Sequence, residues 1–178
     1  RVFGRFRESQ VGTRFSRRTF ETFVPREGTA EAFALCLRFV EEYPIWAREG
    51  KGLMLVGRVG SGKTHLAAAC INSLIPREVG CLFIGVPEYL ERLRQSYRKQ
   101  RQDTEEVEDA AAGIPVLVLD DLGTERLPED DRGDWARERL YVLVNRRYED
   151  EMTVIVTTNC DRDALVTRLG MRTVDRLD

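Results

Sequence analysis

One histidine, three lysines and four widely spaced cysteines are the scarce residues of this 178-residue chain, and each scarcity excludes something. His65 stands alone, and Cys36, Cys70, Cys81 and Cys160 show no C-x-x-C spacing, so no Cys/His set for zinc is expected. The same spacing offers no disulfide framework, and reduced thiols in a cytoplasmic setting are the plain reading. No apolar run approaches the ~18–20 residues that span a bilayer, so no membrane partner is expected. No apolar stretch follows the N-terminal arginines, as a secretory signal requires. The first residue is Arg rather than Met, which reads as a trimmed or partial chain.

Hydrophobic residues make up 42% and charged residues 33%, a globular balance at a length that suits one core. The net charge of −2 hides an uneven distribution. Residues 1–18 carry six arginines against one glutamate, so the remainder is acidic. Residues 1–28 have no sustained periodicity and read as a basic arm or linker, with residues 29–178 as the domain.

Apolar spacing at Ala32, Cys36, Phe39, Val40 and Tyr43 predicts a helix, with Thr29 as its cap and Pro44 at its end. Leu53–Val56, Cys81–Ile84, Val116–Leu119 and Thr153–Thr158 read as buried strands. Between and after them, helices are predicted from Gly62 to about Ser73, from Pro87 onward, over Trp135–Tyr148 and over Asp161–Leu169. Residues Asp103–Gly113 and Gly123–Asp134 read as irregular. Continuous apolar strands alternating with helices indicate an α/β fold with a parallel sheet covered on both faces.

The strongest motif is Gly57-Arg58-Val59-Gly60-Ser61-Gly62-Lys63-Thr64, a complete G-x-x-x-x-G-K-[ST] between a strand and a helix. Its glycines let successive backbone N–H groups turn toward a phosphate, where the helix dipole adds positive charge. Lys63 can reach the β- and γ-phosphates and Thr64 can ligate Mg²⁺. A chance glycine-rich turn would lack the flanking strand and helix.

Asp120 and Asp121 close the third strand at the edge where ligands of parallel sheets sit. Beside a phosphate loop, Asp120 suits Mg²⁺ and Asp121 suits polarising an attacking water; a pair of capping carboxylates is the plainer alternative. Asn159 ends the fourth strand, where it could orient that water or cap the next helix. Arg168, Arg172 and Arg176 recur at four-residue spacing and would share a face of one helix. Arg94, Arg98 and Arg101, with Lys99 nearby, would likewise form a basic face, either solvated or nucleic-acid-binding.

Taken together these residues resemble the AAA+ ATPases of the P-loop NTPase class, and within them the bacterial replicative helicase loaders of the DnaC/DnaI type. The likeness is carried by Thr19-Phe20-Glu21-Thr22-Phe23, Gly62-Lys63-Thr64-His65-Leu66-Ala67, Val86-Pro87-Glu88-Tyr89-Leu90, Leu119-Asp120-Asp121-Leu122-Gly123, Thr157-Thr158-Asn159 and Asp175-Arg176-Leu177. It implies a sheet of about five strands, and ATP or ADP with Mg²⁺ held by the residues from Gly57 to His65 and by Asp120. It also implies Asn159 as the sensor of the γ-phosphate, and Arg176, with Arg172 next, as a finger donated to an adjacent subunit of a homo-oligomer or helical assembly. The implied partners are a replicative helicase and single-stranded DNA. The chain departs from the wider pattern at Asp121, where most AAA+ members carry Glu, so slow or partner-stimulated hydrolysis is expected. It also ends before the family's helical lid. The IstB-type helper ATPase of a transposase, a small-molecule kinase and a weakly hydrolysing switch are the alternative readings.

Overall fold

A computed structural model describes residues 15–99, 101–124 and 131–178. Its elements run α1 (Ala30–Glu41), α2 (Tyr43–Arg48), β1 (Leu53–Val56), α3 (Lys63–Leu74), β2 (Cys81–Gly85), α4 (Val86–Lys99), α5 (Arg101–Gly113), β3 (Val116–Asp120), α6 (Asp131–Glu149), β4 (Thr153–Thr158), α7 (Arg162–Leu169) and α8 (Met171–Val174). Among the described residues the sheet has four strands rather than about five, all parallel, in the order β1-β4-β3-β2. No described helix is long and apolar enough to cross a membrane.

Alternation along the strands divides the core into two layers. Val116 and Val118 of β3 face Phe39 of α1 and Cys70, Ile71 and Leu74 of α3. Leu117 and Leu119 face the other way, onto Leu90 and Leu93 of α4, Leu140 and Leu143 of α6, and Leu165 of α7. The helix that follows β1 therefore covers one face, and the helices that follow the other strands cover the opposite one. The direction of winding changes between β1 and β4, and in parallel sheets ligands sit outside the carboxyl ends of the strands at such a point.

Four local expectations need correction. Asp103–Gly113 is not irregular: it lies within α5, whose acidic first turns suit a helix N-terminus and whose Ala111 and Ala112 are buried. Its far end is closed by Arg147 of α6, a fully buried side chain. That guanidinium donates to the carbonyls of Ala111 (2.8 Å), Ala112 (3.0 Å), Ile114 (2.8 Å), Pro115 (3.3 Å) and Thr153 (2.6 Å). The last turn of α5 and the entries to β3 and β4 thus share one donor. Secondly, α6 begins at Asp131, inside the segment read as irregular, of which residues 125–130 lie outside the described residues.

Thirdly, Thr29 occupies the cap position of α1 but does not cap it. Its hydroxyl instead donates to Arg26 O (2.7 Å) and accepts from Arg26 N (2.8 Å). Finally, Arg168, Arg172 and Arg176 do not share one helix face. Gly170 takes φ 88° and ψ 150°, a conformation open to glycine, and this breaks the segment into α7 and the short α8.

Candidate functional site

The phosphate loop leaves β1 at Val56 and is tied to β4 at once, Gly57 N donating to Thr158 O at 3.1 Å. Gly60 (φ 77°) and Gly62 (φ 95°) hold left-handed conformations that side chains resist. A Cβ on Gly62 would also stand 2.7 Å from the Phe23 ring. Gly62 offers no side chain to cap α3, so the N–H groups of its first turn remain suited to an anion. Lys63 Nζ lies back over the loop, donating to Gly57 O (2.7 Å) and Arg58 O (2.9 Å).

Asp120 ends β3 and is only 6% exposed. It accepts from Thr157 Oγ1 at 2.7 Å, and the Thr64 hydroxyl is near enough to favour its charged form. Burial raises its pKa above the ordinary carboxylate value. The two hydroxyls and Lys63 oppose that rise, while neighbouring Asp121 adds to it. Asp121 is exposed and left-handed, at φ 59°.

The residue that binds this corner together is Thr157, which the sequence marks only as part of a strand end. Its hydroxyl donates to Asp120 and accepts from Asp121 N (3.0 Å), while its carbonyl accepts from Leu122 N (2.9 Å). Thr158 adds a bond from its hydroxyl to Leu122 O (2.7 Å). The register pairs Leu119 with Val156, which brings Asp120 level with Thr157. The available signal was two threonines where a buried strand would otherwise carry apolar residues. Asn159 follows at the same edge, exposed, its Oδ1 3.6 Å from the Cys160 thiol.

The phosphate loop, Thr64, Asp120, Asp121 and Asn159 therefore meet at one edge of the sheet, and the remaining candidates do not. The His65 imidazole is turned toward the lead-in segment, with Nε2 2.8 Å from Thr19 O and 3.4 Å from Thr22 Oγ1. Described from residue 15, that segment lies along α3. Asn72 donates to the carbonyls of Phe15 and Arg18 (both 2.9 Å), and Arg26 donates to Gly60 O (3.1 Å). Arg172 is exposed. Arg176 lies over the Tyr148 ring (4.5 Å), donates to Asn145 Oδ1 (3.2 Å), and sits in a groove with Gly52, Leu53 and Met152 at the amino end of β1.

Arg94 is turned onto α6, 5.5 Å from the Trp135 ring centre. It shares α4 with Arg98, whereas Arg101 opens α5, so the proposed basic face is divided between two helices. The side chains of Arg98, Lys99 and Arg101 lie outside the described residues, as do Arg1, Arg5, Arg7 and Arg14 of the basic arm.

Comparison with known proteins fits this geometry. Residues 40–168 match the family described as IstB-like ATP binding protein. The chain is 32% identical over 118 residues to the replicative helicase loader DnaI of Bacillus subtilis, covering 66% of this chain and 36% of that protein. It is 25% identical over 162 residues to the replicative helicase loader DnaC of Escherichia coli, covering 89% of this chain and 62% of that one. The crystal structure of a DnaC helicase loader superposes with a TM-score of 0.77 at 29% identity, over 93% of this chain and 94% of that chain. The chain therefore spans less than two thirds of the length of these two curated relatives.

Proposed function

This chain belongs to the family of IstB-like ATP binding proteins and is of the DnaC/DnaI type, and from that premise we propose that it hydrolyses ATP at the carboxyl edge of its sheet. In the whole protein, this cycle would load a replicative helicase onto single-stranded DNA. The observation that carries the reading is a buried Asp120, bound by Thr157 and neighboured by Thr64, directly beside the phosphate loop.

In this reading, backbone N–H groups from Gly57 to Lys63 cradle the phosphates, and Lys63 leaves the Gly57 and Arg58 carbonyls for the γ-phosphate. Thr64 and Asp120 would hold Mg²⁺. They fit that ion, since both offer hard oxygen atoms and a divalent cation would relieve the buried carboxylate. Bound there, the ion would offset the negative charge of the phosphates. Asp121 accepts a proton from the attacking water, and its exposure leaves it within reach of one. Asn159 orients that water. Arg176, with Arg172 second, serves the nucleotide of a neighbouring copy in a homo-oligomer; within its own chain it sits beside the opposite end of β1. Arg94, Arg98, Lys99 and Arg101 are the candidate contacts to single-stranded DNA, and the soluble assembly would work in the cytoplasm.

The family match also supports a second reading, in which the same ATPase serves a transposase. Two measurements test these assignments. Lys63→Ala should weaken ATP binding by about tenfold or more, the loss of a charge-assisted phosphate contact; unchanged affinity would refute the phosphate site. Capture by the full-length protein of a replicative helicase but not a transposase would support the first reading, and the reverse result the second.

A further inference from the structure

We infer that Arg168 is a positioning residue for the Asp120–Gly123 corner, holding it from α7 and linking it to the arginine segment that follows. The inference deepens the proposed ATPase reading and rests on it.

The argument starts from Asp121, a non-glycine residue at φ 59°. Such a conformation is strained for a residue with a side chain and persists only where its surroundings fix it. The backbone of this turn is held at several points. Asp121 N and Leu122 N are bound by Thr157, and Leu122 O by Thr158. Asp121 O accepts from Thr124 N (3.2 Å) and from Thr124 Oγ1 (2.7 Å). These groups belong to β4 or to the turn itself.

The remaining carbonyl, that of Gly123, accepts from the Arg168 guanidinium and from the Cys160 thiol (3.3 Å). Arg168 therefore reaches the corner from another element. Its helix is seated there closely: Gly123 has φ 76°, and a Cβ on it would lie 2.7 Å from Leu165 Cδ2. The guanidinium cannot drift with a loosened helix end, because Arg137 Nε of α6 donates to Arg168 O at 3.1 Å.

The contact also has a continuation. Buried Thr173 of α8 donates through Oγ1 to Leu169 O (3.1 Å), so α8 follows any movement of α7. Arg172 lies on α8, and Arg176 comes two residues after it. The segment proposed to serve a neighbour's nucleotide is thus joined, through α7 and one charged donor, to the carboxylates of its own subunit. A charged donor to a carbonyl outweighs a neutral one, so Arg168 rather than the Cys160 thiol sets this joint.

The test compares Arg168→Met and Arg168→Lys in the full-length protein. Steady-state hydrolysis, affinity for a non-hydrolysable ATP analogue, thermal unfolding, and amide exchange of the 121–124 segment are measured on each. For Arg168→Met, we expect kcat to fall by about tenfold or more through misplacement of Asp121, with analogue affinity and melting temperature nearly unchanged. Exchange at 121–124 should quicken, and Arg168→Lys should recover most of both effects. Unchanged kcat and exchange in Arg168→Met would overturn the inference. So would a fall of kcat, affinity and melting temperature together without rescue by lysine. If the wild-type protein itself fails to turn over, the ATPase reading fails, while the exchange data still decide whether Arg168 holds the corner.

Discussion

Among the described residues, two charged side chains are buried, Asp120 and Arg147, and they stand at opposite ends of the same two strands. Arg147 lies where β3 and β4 begin, and donates to five backbone carbonyls. Two of these belong to the last turn of α5, where the helix dipole favours a cation. Burial pushes its pKa down to about 10, so it stays protonated at neutral pH. Asp120 lies where β3 ends, with the Thr157 hydroxyl bonded to it, a second carboxylate beside it and a raised pKa. The charge that serves the fold is met by five acceptors of the chain's own backbone through its two terminal nitrogens, its buried Nε alone remaining without one. The charge proposed to serve chemistry keeps fewer partners, so that a cation would gain from joining it.

Substitutions at the two charges should therefore have opposite profiles. Asp120→Asn should lower Mg²⁺-dependent hydrolysis by about 10²-fold or more, since it removes a charged metal ligand, while leaving the fold at least as stable. Arg147→Met should do the reverse. Its loss orphans several buried carbonyls and should cost about 3–5 kcal/mol in denaturant unfolding, with nucleotide affinity retained by the folded fraction. A stable Arg147→Met protein, or an Asp120→Asn protein that unfolds easily, would break the contrast.

Thr157→Val tests whether one hydroxyl supports the functional end. Hydrolysis should fall by about tenfold, and stability by roughly 1–2 kcal/mol for the buried hydrogen bonds lost. Thr157→Ser should restore both. The smallest effect concerns pH. Because the folded state holds the Asp120 proton more tightly than the unfolded chain does, ionisation of this group costs stability. Without nucleotide, that cost is absent below the ordinary carboxylate pKa, appears as pH rises toward the folded value, and is complete above it. Unfolding curves of Asp120→Asn and wild type should separate in the variant's favour over that interval.

The functional end was more legible in the sequence than the structural end, and the reason is the range of the interactions. The phosphate loop, the Asp120–Asp121 strand end and Asn159 are local patterns, each following an apolar strand, and parallel pairing brings such strand ends to one edge. Arg147 looks like any other arginine of a charged helix, because its acceptors lie 32–36 residues earlier in the chain or six residues later. The same distance hid α5, whose acidic and alanine-rich sequence gives little apolar periodicity and whose end is closed by that remote side chain. Thr157 was legible as strand and not as a clamp, since Asp120 and Asp121 come from a neighbouring strand. In the segment after β4, four-residue spacing suggested one arginine face, and a single glycine at position 170 undid it. His65 belongs to a motif by position but is occupied by the lead-in segment, 46 residues upstream of it.

The most direct test of the central claim is a thermal unfolding comparison of wild type and Asp120→Asn, each alone, with a non-hydrolysable ATP analogue, and with the analogue plus Mg²⁺. Asp120 under-satisfied for the sake of a metal-bound nucleotide predicts a variant that melts at or above the wild-type temperature when alone. It also predicts that Mg²⁺ adds stabilisation to the nucleotide-bound wild type and none to the variant. A variant that melts lower when alone and gains as much from Mg²⁺ as the wild type would contradict the account.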